Sequence, residues 1–72
     1  MRLINEIDPK ERTPEIQEIR SRVVLTRYDN RIRLSYCEYD SGSQKIRWYE
    51  STTNQLMGIA PDGWSELPIS ED

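Results

Sequence analysis

Seven residues suited to binding recur at alternating positions through the middle of the chain: Tyr28, Arg31, Arg33, Tyr39, Lys45, Arg47 and Tyr49. Guanidinium groups pair with phosphate or carboxylate through a planar fork, and tyrosine rings offer stacking faces to unpaired bases. Tyrosine and arginine also dominate the energetic centres of protein interfaces. Bond-making chemistry is less well served. Histidine is absent, which removes the usual general base near neutral pH and the commonest metal ligand. The single cysteine, Cys37, has Lys45 as its expected cross-strand neighbour, which would lower its thiol pKa. With no activating base beside it, its expected role is that of a small strand residue. Asp29, Asp40 and Asp62 each fall in expected turns, where aspartate has a backbone reason to be. The three glycines stand apart, so no phosphate-cradling loop is formed. The expectation is a chain with no catalytic residues, no cofactor and no metal.

The elements that must position these side chains are strands. The runs 22–28 and 31–39 flank Asp29-Asn30, two residue types that tolerate the left-handed conformation of a two-residue hairpin loop. That loop sets Tyr28 opposite Arg31, Thr26 opposite Arg33 and Val24 opposite Ser35 on one face. Leu25 then meets Leu34, and Val23 meets Tyr36, on the other. A slip by one residue would mix Leu34 and Tyr36 with the polar set, so the apolar pattern supports this register. A second hairpin is expected to close through Asp40-Ser41-Gly42, with glycine in the left-handed third position. Its third strand, 43–49, would pair Tyr36 with Ile46 and Leu34 with Trp48 on the apolar face. Cys37 with Lys45, Ser35 with Arg47 and Arg33 with Tyr49 would lie opposite, completing one basic, aromatic surface.

The flanks carry weaker signals. Asp8-Pro9-Lys10-Glu11 has capping-box spacing, and Thr13-Pro14-Glu15 repeats the cap-then-proline pattern. Ile16, Ile19 and Val23 recur at helical spacing, so a short helix over 14–20 is expected behind an N-terminal arm at 1–13. An extended start to the first strand is the alternative. Residues 55–67 are read as a fourth strand and a turn at Pro61-Asp62-Gly63, and 68–72 as a frayed tail. Trp48 has core parity; Trp64 is open between core and surface anchor. The fold class is mainly β, a three- to four-stranded antiparallel meander with a short N-terminal helical turn or arm. This hairpin succession is similar to SH3-like and other small meander domains, a likeness of fold alone.

Seventy-two residues make at most one domain with a thin core, so the tryptophans must supply much of the buried area. Residues 21–49 hold six basic and three acidic groups, whereas 50–72 hold five acidic groups and no basic one. The overall pI near 4.9 weighs against nucleic acid, since such binders usually run basic. One cysteine, no secretory leader and no long apolar run lead to a cytoplasmic expectation without membrane contact. The function expected is a non-catalytic protein-binding module, an inhibitor or accessory subunit of a larger complex, acting through the seven residues above and Trp64. Homodimerisation through an edge strand is a variant of it. Single-stranded nucleic-acid binding through the basic face is the alternative.

Overall fold

A computed structural model describes residues 2–67. It contains seven strands and no helix among those residues: β1 Ile16–Gln17, β2 Arg20–Ser21, β3 Val24–Tyr28, β4 Arg31–Asp40, β5 Lys45–Glu50, β6 Leu56–Met57 and β7 Gly63–Ser65. All pairings are antiparallel. The long strand β4 is the spine of a curled sheet, with β3 and β2 in succession on one side and β5 on the other. Outside these, β7 pairs with β3 and β6 with β5. The expected tail at 68–72 lies outside the described residues.

The first hairpin has the expected register, with Val24, Leu25, Thr26 and Tyr28 opposite Ser35, Leu34, Arg33 and Arg31. Asp29 takes the left-handed conformation, at φ 62°. The second hairpin differs. Its loop runs over residues 41–44, and the left-handed residue is Gln44, at φ 59°, rather than Gly42. The cause is the Asp40 side chain, which accepts from Gly42 N at 3.1 Å, Ser43 Oγ at 2.8 Å and Arg47 Nε at 2.9 Å. This aspartate-capped turn favours the longer loop, closed by Gln44 N donating to Asp40 O at 2.7 Å. The register therefore moves by three residues. Cys37 faces Trp48, Tyr36 faces Tyr49 and Tyr39 faces Ile46. A shift by an odd number exchanges the faces of β5 relative to β4.

That exchange decides where the core lies. Trp48 joins Val24, Cys37 and Trp64 in the buried cluster, while Leu34 is 43% exposed. The expected apolar face of Leu25 and Leu34 is thus the outer face. The inner face is built from small residues, Val24, Thr26, Ser35 and Cys37, all fully buried under the two indoles. Their hydroxyls are satisfied within the protein. Thr26 Oγ1 donates to Arg33 O at 3.0 Å and lies 2.8 Å from Ser35 Oγ. No buried side-chain nitrogen or oxygen among the described residues lacks a partner, so these polar side chains escape the usual penalty of burial.

The helix expected over 14–20 is absent. Residues 16–21 form a tight hairpin instead, with Ile16 opposite Ser21 and Glu18 left-handed at φ 63°. So short a helix has too little hydrogen bonding to offset its nucleation, and the sheet offers a better partner. Arg20 pairs with Glu38, and Ser21 Oγ accepts from Cys37 N at 3.0 Å. Ile19, expected to lie on the sheet, is exposed. The Asp8 capping signal produces one turn, in which Asp8 Oδ1 accepts from Lys10 N at 2.9 Å. Ahead of it the arm adds to β7, where Ile7 and Trp64 exchange backbone hydrogen bonds at 2.7 and 3.0 Å. Trp64 is a core residue, 1% exposed, with its Nε1 donating to Arg12 O at 2.7 Å and the Arg12 guanidinium over its ring.

Candidate binding surface

The eight sequence-derived candidates do not share one surface. Tyr28, Arg31, Arg33 and Tyr39 have the parity of the inner face, whereas Lys45, Arg47 and Tyr49 belong to the outer one. Trp64 is buried. The three-residue change of register is the reason, since it carries β5 over to the opposite parity. Several candidates also have internal partners. Arg33 is paired with Glu50, and Arg47 with Asp40 at 2.9 Å. Tyr28 donates from its hydroxyl to Ile59 O at 3.1 Å, and burial pushes its phenol up to about 12. Arg31, Tyr39 and Lys45 are exposed, and Arg31 and Lys45 have no ion pair among the described residues.

The carboxylates that hold these cations are lowered by them. Glu50 lies below its usual range because Thr53 donates to it and Arg33 pairs with it. Asp40 is lowered by Ser43, by Arg47 and by the Gly42 amide. Neither residue points to acid–base chemistry, because each has an evident turn or ion-pair role. Cys37 is equally quiet. It faces Trp48 rather than Lys45, and burial raises its thiol above the ordinary value. Among the described residues, no group of three or more cysteines and carboxylates could hold a metal ion, and no helix is long and apolar enough to cross a membrane.

On the outer face, two features stand out. One is a stack in which the Arg20 guanidinium sits 4.7 Å from the centre of the Tyr36 ring. Tyr36 stacks in turn on Tyr49, at 5.5 Å and an interplanar angle of 10°. Tyr36 is buried by this arrangement and donates to Asn54 Oδ1 at 3.0 Å. The other is an apolar groove of about 710 Å³ between the arm and the first hairpin, lined chiefly by Leu3, Ile4, Ile7, Leu25, Ile32 and Leu67. Ile4 is 87% exposed and Ile32 41%. Alternation had signalled Leu25 and Leu34 as apolar partners, but assigned them to the core. Ile4 carried no comparable signal.

A partly buried ion pair anchors the arm that forms one wall of this groove. Glu6 accepts from Arg27 Nε at 2.7 Å and Nη2 at 3.1 Å, and from Leu3 N at 3.0 Å. The Arg27 hydrogen bonds, then the Leu3 amide, hold its carboxyl down at about 2 despite the opposing effect of burial. The side chain packs on Gly63, where any Cβ would fall inside the Glu6 side chain. Nothing in the sequence linked positions 6, 27 and 63. Comparison with known proteins returns no relative: no family model, no curated protein and no solved structure matches this chain.

Proposed function

We propose that this chain is a small non-catalytic binding module that takes another polypeptide on the outer face of its sheet, as an accessory or inhibitory subunit of a larger complex. The observation that carries this reading is the exposed apolar surface of Ile4, Ile32 and Leu34 beside the groove. Contiguous apolar surface rimmed by polar residues marks interaction sites on small proteins. A cytoplasmic setting belongs to the same reading, with the single cysteine as its support. Single-stranded nucleic acid has weaker support. Two of its candidate arginines are tied to carboxylates, and its aromatic and basic residues divide between two faces.

The test compares wild type with an Ile32→Asp/Leu34→Asp variant, each used to capture ligands from source-cell lysate. Thermal melting of both proteins runs alongside. The variant is expected to melt cooperatively and to lose a protein that wild type retains at moderate salt. Equal capture by both proteins would remove the outer face from the function. Recovery of nucleic acid in place of protein, lost steeply with salt, would favour the alternative.

A further inference from the structure

We infer that the partner is an extended segment of alternating apolar and acidic residues, and that it joins the sheet as an added strand along β4 at residues 31–34. This rests on the outer-face reading above and names the partner's chemistry and its mode of entry.

The free flank follows from the topology. On the β5 side, β4 is paired from Ser35 to Asp40, and Ser51 N donates to Leu34 O at 2.8 Å. Beyond that point the segment after β5 turns back, with Asn54 N donating to Glu50 O. In an antiparallel ladder a residue directs both its backbone groups to one side, and its neighbours direct theirs to the other. Leu34 directs its carbonyl away from β3, and Ile32, two residues earlier, does the same. The Ile32 N–H and C=O thus face a flank where no described residue hydrogen-bonds to them. Such an edge is a ready template for an incoming strand.

The side chains along this flank select what can pair there. Ile32 and Leu34 stand on the outer face, 41% and 43% exposed, and Ile32 lines the groove. Arg31 and Arg33 alternate with them on the opposite parity. Arg31 is exposed with no ion pair among the described residues. An added strand sets its own side chains beside these in the same alternation, so apolar residues meet Ile32 and Leu34 while an acidic one meets Arg31, Arg33 being already paired with Glu50. A second copy of this chain fits poorly. Antiparallel self-pairing centred on Ile32 sets Arg31 of each copy opposite Arg33 of the other, so Arg31 would meet a cation rather than the carboxylate that an acidic segment supplies.

The experiment uses the full chain and blocked eight-residue peptides of three designs, read by amide chemical shifts and by titration calorimetry. One peptide alternates valine with glutamate, the second valine with lysine. The third is the glutamate peptide with alternate backbone nitrogens methylated, made in both possible phases. The glutamate peptide is expected to bind, shift the Ile32 amide and protect it from exchange. The lysine peptide should bind at least about tenfold more weakly, and one methylated phase should lose a similar factor. Equal binding by both methylated phases would overturn strand addition while leaving outer-face docking intact. Equal binding by the lysine peptide would overturn the acidic partner. Concentration-dependent dimerisation abolished by Ile32→Asp would replace the partner with a second copy. If the glutamate peptide does not bind while the Ile32/Leu34 variant still loses its captured protein, this inference fails and the broader reading survives.

Discussion

The two faces of the sheet are built on opposite plans. The inner one places small and partly polar residues, Val24, Thr26, Ser35 and Cys37, beneath Trp48 and Trp64. The outer one places larger apolar residues, Leu25, Ile32 and Leu34, beneath little more than the N-terminal arm. Two indoles are too large to sit over a layer of leucines in so thin a fold. Small β-branched, hydroxyl and thiol side chains leave them room, and the hydroxyls bond to the backbone or to each other. Volume, not hydropathy, selects the buried face. The contrast separates stability from exposure: the inner side holds the fold together, and the outer side carries the exposed apolar surface on which the proposed binding rests.

The sharpest way to break this contrast is to remove an indole. Trp64→Ala deletes a fully buried ring, the Nε1 bond to Arg12 O and the platform under the Arg12 guanidinium. The expected loss is about 3–5 kcal/mol, comparable to the whole stability of a domain this small. Circular dichroism should show no cooperative melt at room temperature and above. A variant that still melted cooperatively would move the core away from Trp64.

The next test concerns the N-terminal arm that walls the groove. Glu6→Gln keeps the shape but removes the charge that meets Arg27, for an expected cost of about 1.5–3 kcal/mol. The pH dependence has a definite sign. The Glu6 carboxyl ordinarily titrates at 4.5 and is held at about 2 in the folded chain. Its contribution is therefore fully present above pH 4.5 and is lost as pH falls from 4.5 towards 2. Asp40 and Glu50 are lowered as well and add to the acid slope of both proteins. Melting temperatures of wild type and variant should converge across that window. Parallel curves would show that Glu6 does not hold the arm through its charge.

How far the sequence reveals this architecture depends on which residue closes each loop. The first hairpin was legible because Asp29-Asn30 allows few loop lengths, and the register of Val24 to Tyr28 against β4 followed from it. The second was not, because the Asp40 carboxylate competes with Gly42 for control of the turn, and hydropathy does not register that competition. A three-residue error there placed Trp48 opposite Leu34 and assembled the seven binding candidates on one face. The antiparallel β class survived the error, since either register gives strands. The site did not, since it depended on which face each side chain occupied. Ion pairs across the fold, such as that of Glu6 with Arg27, leave no local periodicity from which to find them.

The finest test exchanges neighbours across the sheet. Positions 34 and 35 are adjacent in sequence and opposite in environment, with Leu34 partly exposed and Ser35 fully buried. Ser35→Leu forces three extra carbons into the space beneath the indoles and displaces the Thr26 hydroxyl from its partner. Overpacking of this kind costs about 1–3 kcal/mol. Leu34→Ser instead removes a side chain that keeps much of its surface in water, and should cost under about 1 kcal/mol. Denaturant titrations measure both, and their order carries the result. If Leu34→Ser were the more damaging change, the buried face would be the one that hydropathy alone picks out, and Ile32 would no longer be surface for a partner. If Ser35→Leu is worse, the serine is there because it is small, and the leucine beside it is free to serve recognition.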